Sequence, residues 1–126
     1  MKIIVDTSIL IDNLRGGDKW NKFQEKVDED SEIFLPTIVV FELFLGSSSQ
    51  RKDVEKKIGE LRKCFQQIEL TWDIAKRSAE IYRSQTKDIE AADCIIAASS
   101  FEIGGSVLTL NKKHFEKIPG ISIYPL

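Results

Sequence analysis

The sequence predicts an α/β protein, a three-layer α/β/α sandwich with helices on both faces of a central, mainly parallel β-sheet. Short apolar runs typical of buried strands alternate with longer segments whose apolar residues recur every three or four positions, as in amphipathic helices. The 126 residues are enough for one hydrophobic core, so we expect a single domain over 1–126. With 42% hydrophobic and 30% charged residues, the composition is that of an ordinary globular protein.

The first half of the chain is predicted to contain two strands and four helices. The strands are runs of β-branched, leucine and aromatic residues, and Pro36 stops the second one. Gly16-Gly17 ends the first helix, and Thr37 caps a helix that is apolar nearly all round. The two helices between 37 and 66 should form a hairpin beside the sheet. In chain order, the elements are a strand at 2–5, helices at 8–15 and 18–29, a strand at 32–35, and helices at 38–46 and 51–65.

The second half repeats the alternation with shorter strands. Gly104-Gly105 ends the second of its long helices, and the last apolar run should form an edge strand. In chain order, the elements are a strand at 68–70, helices at 72–86 and 89–101, a strand at 106–110, a helical turn at 112–116 and a strand at 121–124.

Charge, cysteines and hydropathy exclude several classes of protein. The net charge of −2 means that nucleic-acid contact would need a local basic patch. No apolar run approaches the roughly 18 residues of a membrane span, and the N-terminus lacks a signal-peptide layout. Cys64 and Cys94 lie in largely apolar helical patterns, so we expect reduced core residues in a cytoplasmic protein. A single His and no CxxC argue against zinc.

Three carboxylates stand out because each is isolated in an apolar stretch. Asp6 directly follows the first strand, Glu42 lies within the apolar helix TIVVFELFLG, and Asp93 lies within AADCIIAASSF. An ionised carboxylate in such a setting costs several kcal/mol unless it is paired or binds a cation. A salt bridge or a helix-edge position could explain one of them, but three suggest a shared partner. All-oxygen ligation favours Mg²⁺ or Mn²⁺, which suits phosphoryl chemistry.

Further polar residues lie near the expected site. Thr109 and Asn111 lie at the carboxyl end of the fourth strand, at the edge where open α/β sheets bind ligands, although a β-branched residue and a turn residue are also ordinary there. Ser8 is either a first-turn helix residue or a hydroxyl that binds Asp6 or a metal-bound water. Asp12 is expected on the helix surface or as a capping residue, and His114 at the surface or in packing.

Four segments in this order resemble the PIN-domain family, in particular the VapC-type toxin ribonucleases of toxin–antitoxin modules. The segments are VDTSILID, FELFLG, AADCIIAAS and VLTLNKKHFEKIPGI, and the resemblance spans residues 1 to about 124. It implies an α/β/α fold and hydrolysis of RNA with Mg²⁺, or Mn²⁺ in its place, leaving a 5′-phosphate and a 3′-hydroxyl.

The resemblance also implies roles for individual residues. Asp6, Glu42 and Asp93 correspond to the family's metal-binding acids, and Ser8 corresponds to its motif hydroxyl. Asn111 occupies a catalytic position where many relatives carry Asp, so a second metal should bind more weakly. Thr109 precedes it as a substrate-orienting or supporting residue. Candidate RNA contacts are Arg51, Lys52, Arg83, Lys87, Lys112 and Lys113.

Partners and alternatives follow from the same resemblance. A VapB-type antitoxin and a homodimer built on the helical hairpin are expected, with Phe41 predicted in the core and Phe44 left open. Two alternatives remain: a non-catalytic PIN-like RNA-binding or scaffold protein, and a PIN nuclease of RNA processing without an antitoxin. A receiver-like signalling domain would need paired acids after the first strand, and this chain has one.

Overall fold

The computed structural model describes residues 1–46, 50–85 and 89–126, in which strands and helices alternate as the sequence predicts. The strands are β1 (Lys2–Val5), β2 (Glu32–Pro36), β3 (Gln66–Ile68) and β4 (Ser106–Leu108). The helices are α1 (Thr7–Leu14), α2 (Lys19–Lys26), α3 (Thr37–Leu45), α4 (Lys52–Arg62), α5 (Trp72–Ser84), α6 (Ala91–Ile103) and α7 (Lys112–Glu116).

The four strands form one parallel sheet in the order β3-β2-β1-β4. The interior strand β1 pairs Ile3 with both Ile33 of β2 and Ser106 of β4, and Ile3, Ile4 and Val5 are fully buried. Such continuous burial is typical of a parallel strand covered on both faces. Helix α6 packs against β1 and β4, α3 packs against β2, and α5 packs on α6. The predicted α/β class is therefore confirmed.

Three predicted strands differ from the structure. The strand predicted at 106–110 ends at Leu108. β3 lies two residues earlier than expected, because it pairs with Phe34–Pro36 of β2, and β2 ends where α3 begins. Glu69 and Leu70, the rest of the predicted strand, therefore lie beyond the end of β2 and have no residues of that strand to pair with. The expected edge strand at 121–124 is reduced to one bridge between Ile123 and Val107. β4 has only three residues, and Pro125 has no N–H to continue the ladder.

The predicted helices all occur, with ends that differ by a few residues. Pro36, rather than Thr37, occupies the N-cap position of α3, and Thr37 is its first residue. Gly16 follows α1 with φ 87°, and Gly104 ends α6 with φ 65°. Both backbones are left-handed, a conformation that glycine adopts without a Cβ penalty, so the predicted glycine helix ends are confirmed.

Two predicted core residues are at the surface. Cys64 is exposed because α4 ends at Arg62 and the helical stripe ends with it, whereas Cys94 is buried as expected. Phe41 is 58% exposed, since α3 buries only the face that carries Val39 and Leu43. Phe44 (47%) and Leu45 (67%) are exposed with it. No helix in the described ranges is both long and apolar enough to cross a membrane.

Candidate active site

A cavity of 660 Å³ lies at the carboxyl edge of the sheet, where α1 and α6 begin. Its lining includes Asp6, Glu42, Asp93, Asn111 and Ser8, so the structure brings these predicted site residues together. Each comes from a different element or turn: Asp6 directly after β1, Glu42 in α3, Asp93 in the first turn of α6, and Asn111 just before α7.

The Asp6 carboxylate is held through one of its two oxygens. Its Oδ2 atom accepts hydrogen bonds from Ser8 Oγ and Thr109 Oγ1, each at 2.7 Å. Those hydroxyls in turn accept from backbone amides: Leu110 N donates to Ser8 Oγ at 3.0 Å, and Asn111 N donates to Thr109 Oγ1 at 2.9 Å. Although Asp6 occupies the N-cap position of α1, its side chain caps no amide. Its Oδ1 has no protein donor in the described residues and stays available to a ligand.

Glu42 is held in a similar way by the neighbour of Asp6 in sequence. Thr7 is buried, and its Oγ1 donates to Glu42 Oε1 at 2.7 Å. Burial raises the pKa of the half-buried Glu42 carboxyl, and the charges of Asp6 and Glu90 raise it further, while the Thr7 hydroxyl lowers it. The ionised form of Glu42 is therefore less favourable here than in water, and a nearby cation would stabilise it.

Asp93 is the most perturbed of the three acids. It is only 7% exposed, and burial together with the Asp6 charge raises its pKa to about 6. The Glu90 backbone amide and the His114 ring lower the pKa of Asp93. The His114 Nδ1 atom lies 3.7 Å from Asp93 Oδ2. Charges of one sign gathered in a cavity with shifted pKa values are typical of functional sites.

Four further ionisable side chains, which the sequence did not place there, line the cavity: Asp12, Arg15, Glu90 and His114. Arg15 is the one Lys or Arg among the described lining residues, and it forms no ion pair with another described residue. Helical spacing could have found one of them, because Glu90 precedes Asp93 by three positions.

The remaining predicted residues lie outside the cavity. Thr109 is fully buried behind Asp6, as its hydrogen bond requires. None of the described basic candidates lines the cavity; Lys112 lines a neighbouring groove and Arg83 a separate apolar one. Arg51 is paired with Asp53 at 2.8 Å. Lys52 and Lys113 are both exposed. Lys87 lies outside the described residues.

The donor set fits a hard divalent cation in its chemistry. Five acidic side chains line the cavity, those of Asp6, Asp12, Glu42, Glu90 and Asp93, with no thiol among them. Carboxylate oxygens are the ligands that Mg²⁺ and Mn²⁺ prefer. Within the described ranges, however, no three His, Cys, Asp or Glu side chains stand close enough to form a complete metal site. A cation here would have to draw the carboxylates together.

Comparison with known proteins agrees with the fold. Residues 3–121 match the sequence profile of the PIN domain. Ribonuclease VapC19 of Mycobacterium tuberculosis is 30% identical over 125 residues, covering 94% of this chain and 95% of that protein. The crystal structure of VapBC2 from Rickettsia felis, bound to a promoter DNA fragment, superposes with a TM-score of 0.85 at 20% identity, covering 98% of each chain. A toxin–antitoxin complex from Klebsiella pneumoniae gives 0.76 at 25% identity, covering 98% of this chain and 99% of that one.

Proposed function

The chain belongs to the PIN domain family, and from this premise we propose that it is a VapC-type toxin, a metal-dependent endoribonuclease that hydrolyses RNA phosphodiester bonds. The observation that carries the proposal is the cavity that gathers Asp6, Glu42 and Asp93, with raised pKa values for the last two. The chain would act as one domain in the cytoplasm.

Asp6, Glu42 and Asp93 would hold the cation, Mg²⁺ with Mn²⁺ as a substitute. When bound, the cation would supply an activated water and charge stabilisation for the phosphate. Because two hydroxyls fix Asp6 Oδ2, the carboxylate presents Oδ1 in a set orientation. Thr7 does the same for Glu42 by occupying Oε1. Such support by neighbouring donors orients the groups that hold a metal and raises the precision of a site.

Asn111 contributes a neutral amide to the cavity, which can hydrogen-bond a water or a phosphate oxygen but adds no charge. We therefore propose that one cation binds well and that a second binds weakly. Arg15 is placed to contact an RNA phosphate at the far end of α1 from Asp6. The helical rise puts these two ends about 12 Å apart, so Arg15 would reach a phosphate other than the scissile one.

The partners proposed for this chain are an antitoxin and a second copy of itself. The Klebsiella pneumoniae relative is a toxin–antitoxin complex, which supports a VapB-type antitoxin for this chain as well. Phe41 and Leu45 give α3 an exposed apolar face of the kind that monomers rarely leave uncovered, which supports a homodimer through this helix.

Cleavage of total cellular RNA by the purified protein, freed of any antitoxin, tests the function. Cleavage is expected with Mg²⁺ or Mn²⁺, and it should disappear with EDTA and in an Asp6→Asn variant. Cleavage that persists in both controls would show that the reaction requires neither a divalent metal ion nor the Asp6 carboxylate. A folded protein that cleaves nothing would favour the alternative of a non-catalytic PIN-like RNA-binding or scaffold protein. An antitoxin frame beside the gene would separate a toxin from an RNA-processing nuclease.

A further inference from the structure

A second groove, of 360 Å³, lies beside the carboxylate cavity and carries the opposite charge. Its lining includes Lys19, Lys22 and Lys26 of α2 and Lys112 of α7. Within the described residues no Asp or Glu side chain lines it. We refer to it as the lysine groove.

The lysines share this groove because of helical spacing. Lys19, Lys22 and Lys26 follow one another by three and four positions, which places them on one face of α2. Trp20 and Phe23 bury another part of the same helix in the core and fix its orientation. From the first lysine to the last, the helical rise spans about 10 Å. The groove can therefore contact more than one phosphate of a nucleic-acid strand.

The lysine groove and the carboxylate cavity meet at two consecutive residues. Leu110 lines both of them, and Thr109, which lines the groove, donates the hydrogen bond to Asp6 Oδ2. A strand whose scissile phosphate lies at Asp6 could thus continue past Leu110 without leaving the protein surface. Leu110 is 39% exposed, and the half-buried Tyr124 ring packs edge-on against Phe23 at 5.2 Å. Both offer apolar surface for a ribose or a base.

We propose that the lysine groove binds the phosphates of single-stranded RNA that flank the scissile bond. This inference rests on the ribonuclease function proposed above and names the path of its substrate. Positive charge along a groove that tracks a backbone is the usual basis of sequence-independent single-strand binding. Lys22 is paired with Asp18 at 3.0 Å, whereas Lys19 and Lys26 form no ion pair with any residue that the structure describes. Lys19 and Lys26, with Lys112, therefore carry most of the attraction.

The test compares two double variants that remove the same charge from different places. Lys19→Ala/Lys26→Ala removes two lysines from the lysine groove. Lys56→Ala/Lys57→Ala removes two exposed lysines from α4 that line neither the groove nor the cavity. The substrate is an RNA that the wild-type protein cleaves, measured by steady-state kinetics at several salt concentrations. Fluorescence anisotropy of the same labelled RNA, in an Asp6→Asn background, measures binding without cleavage.

The groove variant should raise KM and Kd about tenfold at low salt with little change in kcat, since phosphate contacts far from the reacting atoms add uniform binding. The slope of its plot of log Kd against log salt concentration should be smaller than that of the wild type by about 1.4, the contribution of two single-strand phosphate contacts. The α4 variant should match the wild type. Equal changes in the two variants, or no change in either, would overturn the inference alone. A wild-type protein that neither cleaves nor binds RNA would overturn the proposed function and the inference together.

Discussion

Replacing Asp93 by Asn should stabilise the metal-free protein at neutral pH, even though it removes a proposed ligand. Asp93 is 7% exposed, and burial with the Asp6 charge raises its pKa to about 6 from 3.8. That rise corresponds to about 3 kcal/mol of unfolding free energy. Asn has nearly the same shape, can accept the hydrogen bond from the Glu90 amide, and carries no charge.

The direction of this pH effect on stability follows from the order in which the unfolded and the folded chain lose the Asp93 proton. Below pH 4 the carboxyl is protonated in the folded and the unfolded chain, so the group contributes no difference. Between pH 4 and pH 6 the unfolded chain ionises first, and the folded state loses stability until its own Asp93 ionises near pH 6. Above pH 6 the cost is constant. The wild-type protein should therefore lose stability relative to the variant only as pH rises through this window.

Urea denaturation in EDTA, at pH 4 and at pH 7, measures the effect. The variant should gain up to about 3 kcal/mol over the wild type at pH 7 but only about 0.5 kcal/mol at pH 4, where the unfolded chain has only begun to ionise. Asp73→Asn is the matched control, because Asp73 is an exposed acid in the first turn of α5 and should give no gain. Added Mg²⁺ should stabilise the wild type more than the variant. An Asp93→Asn protein that is no more stable than the wild type at pH 7 would refute this account of the cavity.

Three further substitutions test other parts of the structure. Thr7→Val removes the hydroxyl that donates a hydrogen bond to Glu42. The Mn²⁺ affinity measured by calorimetry should fall about tenfold, as is typical when a group that orients a metal ligand is lost, and Thr7→Ser should restore it. An unchanged affinity in Thr7→Val would contradict the proposal that Thr7 orients Glu42. Asn111→Asp adds a carboxylate to the cavity. Calorimetric titration should show that the variant binds a second Mn²⁺ more tightly than the wild type does. Identical titration curves for the two proteins would show that residue 111 does not face the cation. Phe41→Glu places a charge on the exposed face of α3, through which we propose that the wild type dimerises. Light scattering should therefore report a dimer for the wild type and a monomer for the variant, and a variant that remains a dimer would place the interface elsewhere.

The fold and the three isolated acids could be predicted because each corresponds to a local sequence pattern. The strands are short apolar runs, and a parallel sheet buries them on both faces, so composition alone identifies β1. Asp6, Glu42 and Asp93 were conspicuous because a charge among apolar residues needs a structural reason. The residue types in these segments therefore carried the prediction, independently of any tertiary contact.

What the sequence did not reveal depends on which segments meet in space. Arg15 lies in an ordinary polar stretch near Gly16, and nothing local shows that its end of α1 reaches the cavity. Phe41 has the apolar surroundings of a core residue, and only the packing of α3 against β2 decides which face is buried. The β3 boundary was likewise set by its partner strand, since β2 ends at Pro36.

The support of Asp6 by Thr109 and Ser8 has a consequence for the order in which the chain is synthesised. Apart from the nearby Ser8 hydroxyl, the hydroxyl and amide groups that hold Asp6 and its partner come from residues 109–111, about a hundred positions later in the chain, and they arrive only when β4 pairs with β1. Contacts of such long sequence separation form late in folding. A nascent chain on the ribosome could build β1, β2 and β3 while Asp6 still lacked its partners. The proposed nuclease would thus stay inactive through most of its own translation, and activity would begin only after the fourth strand emerged.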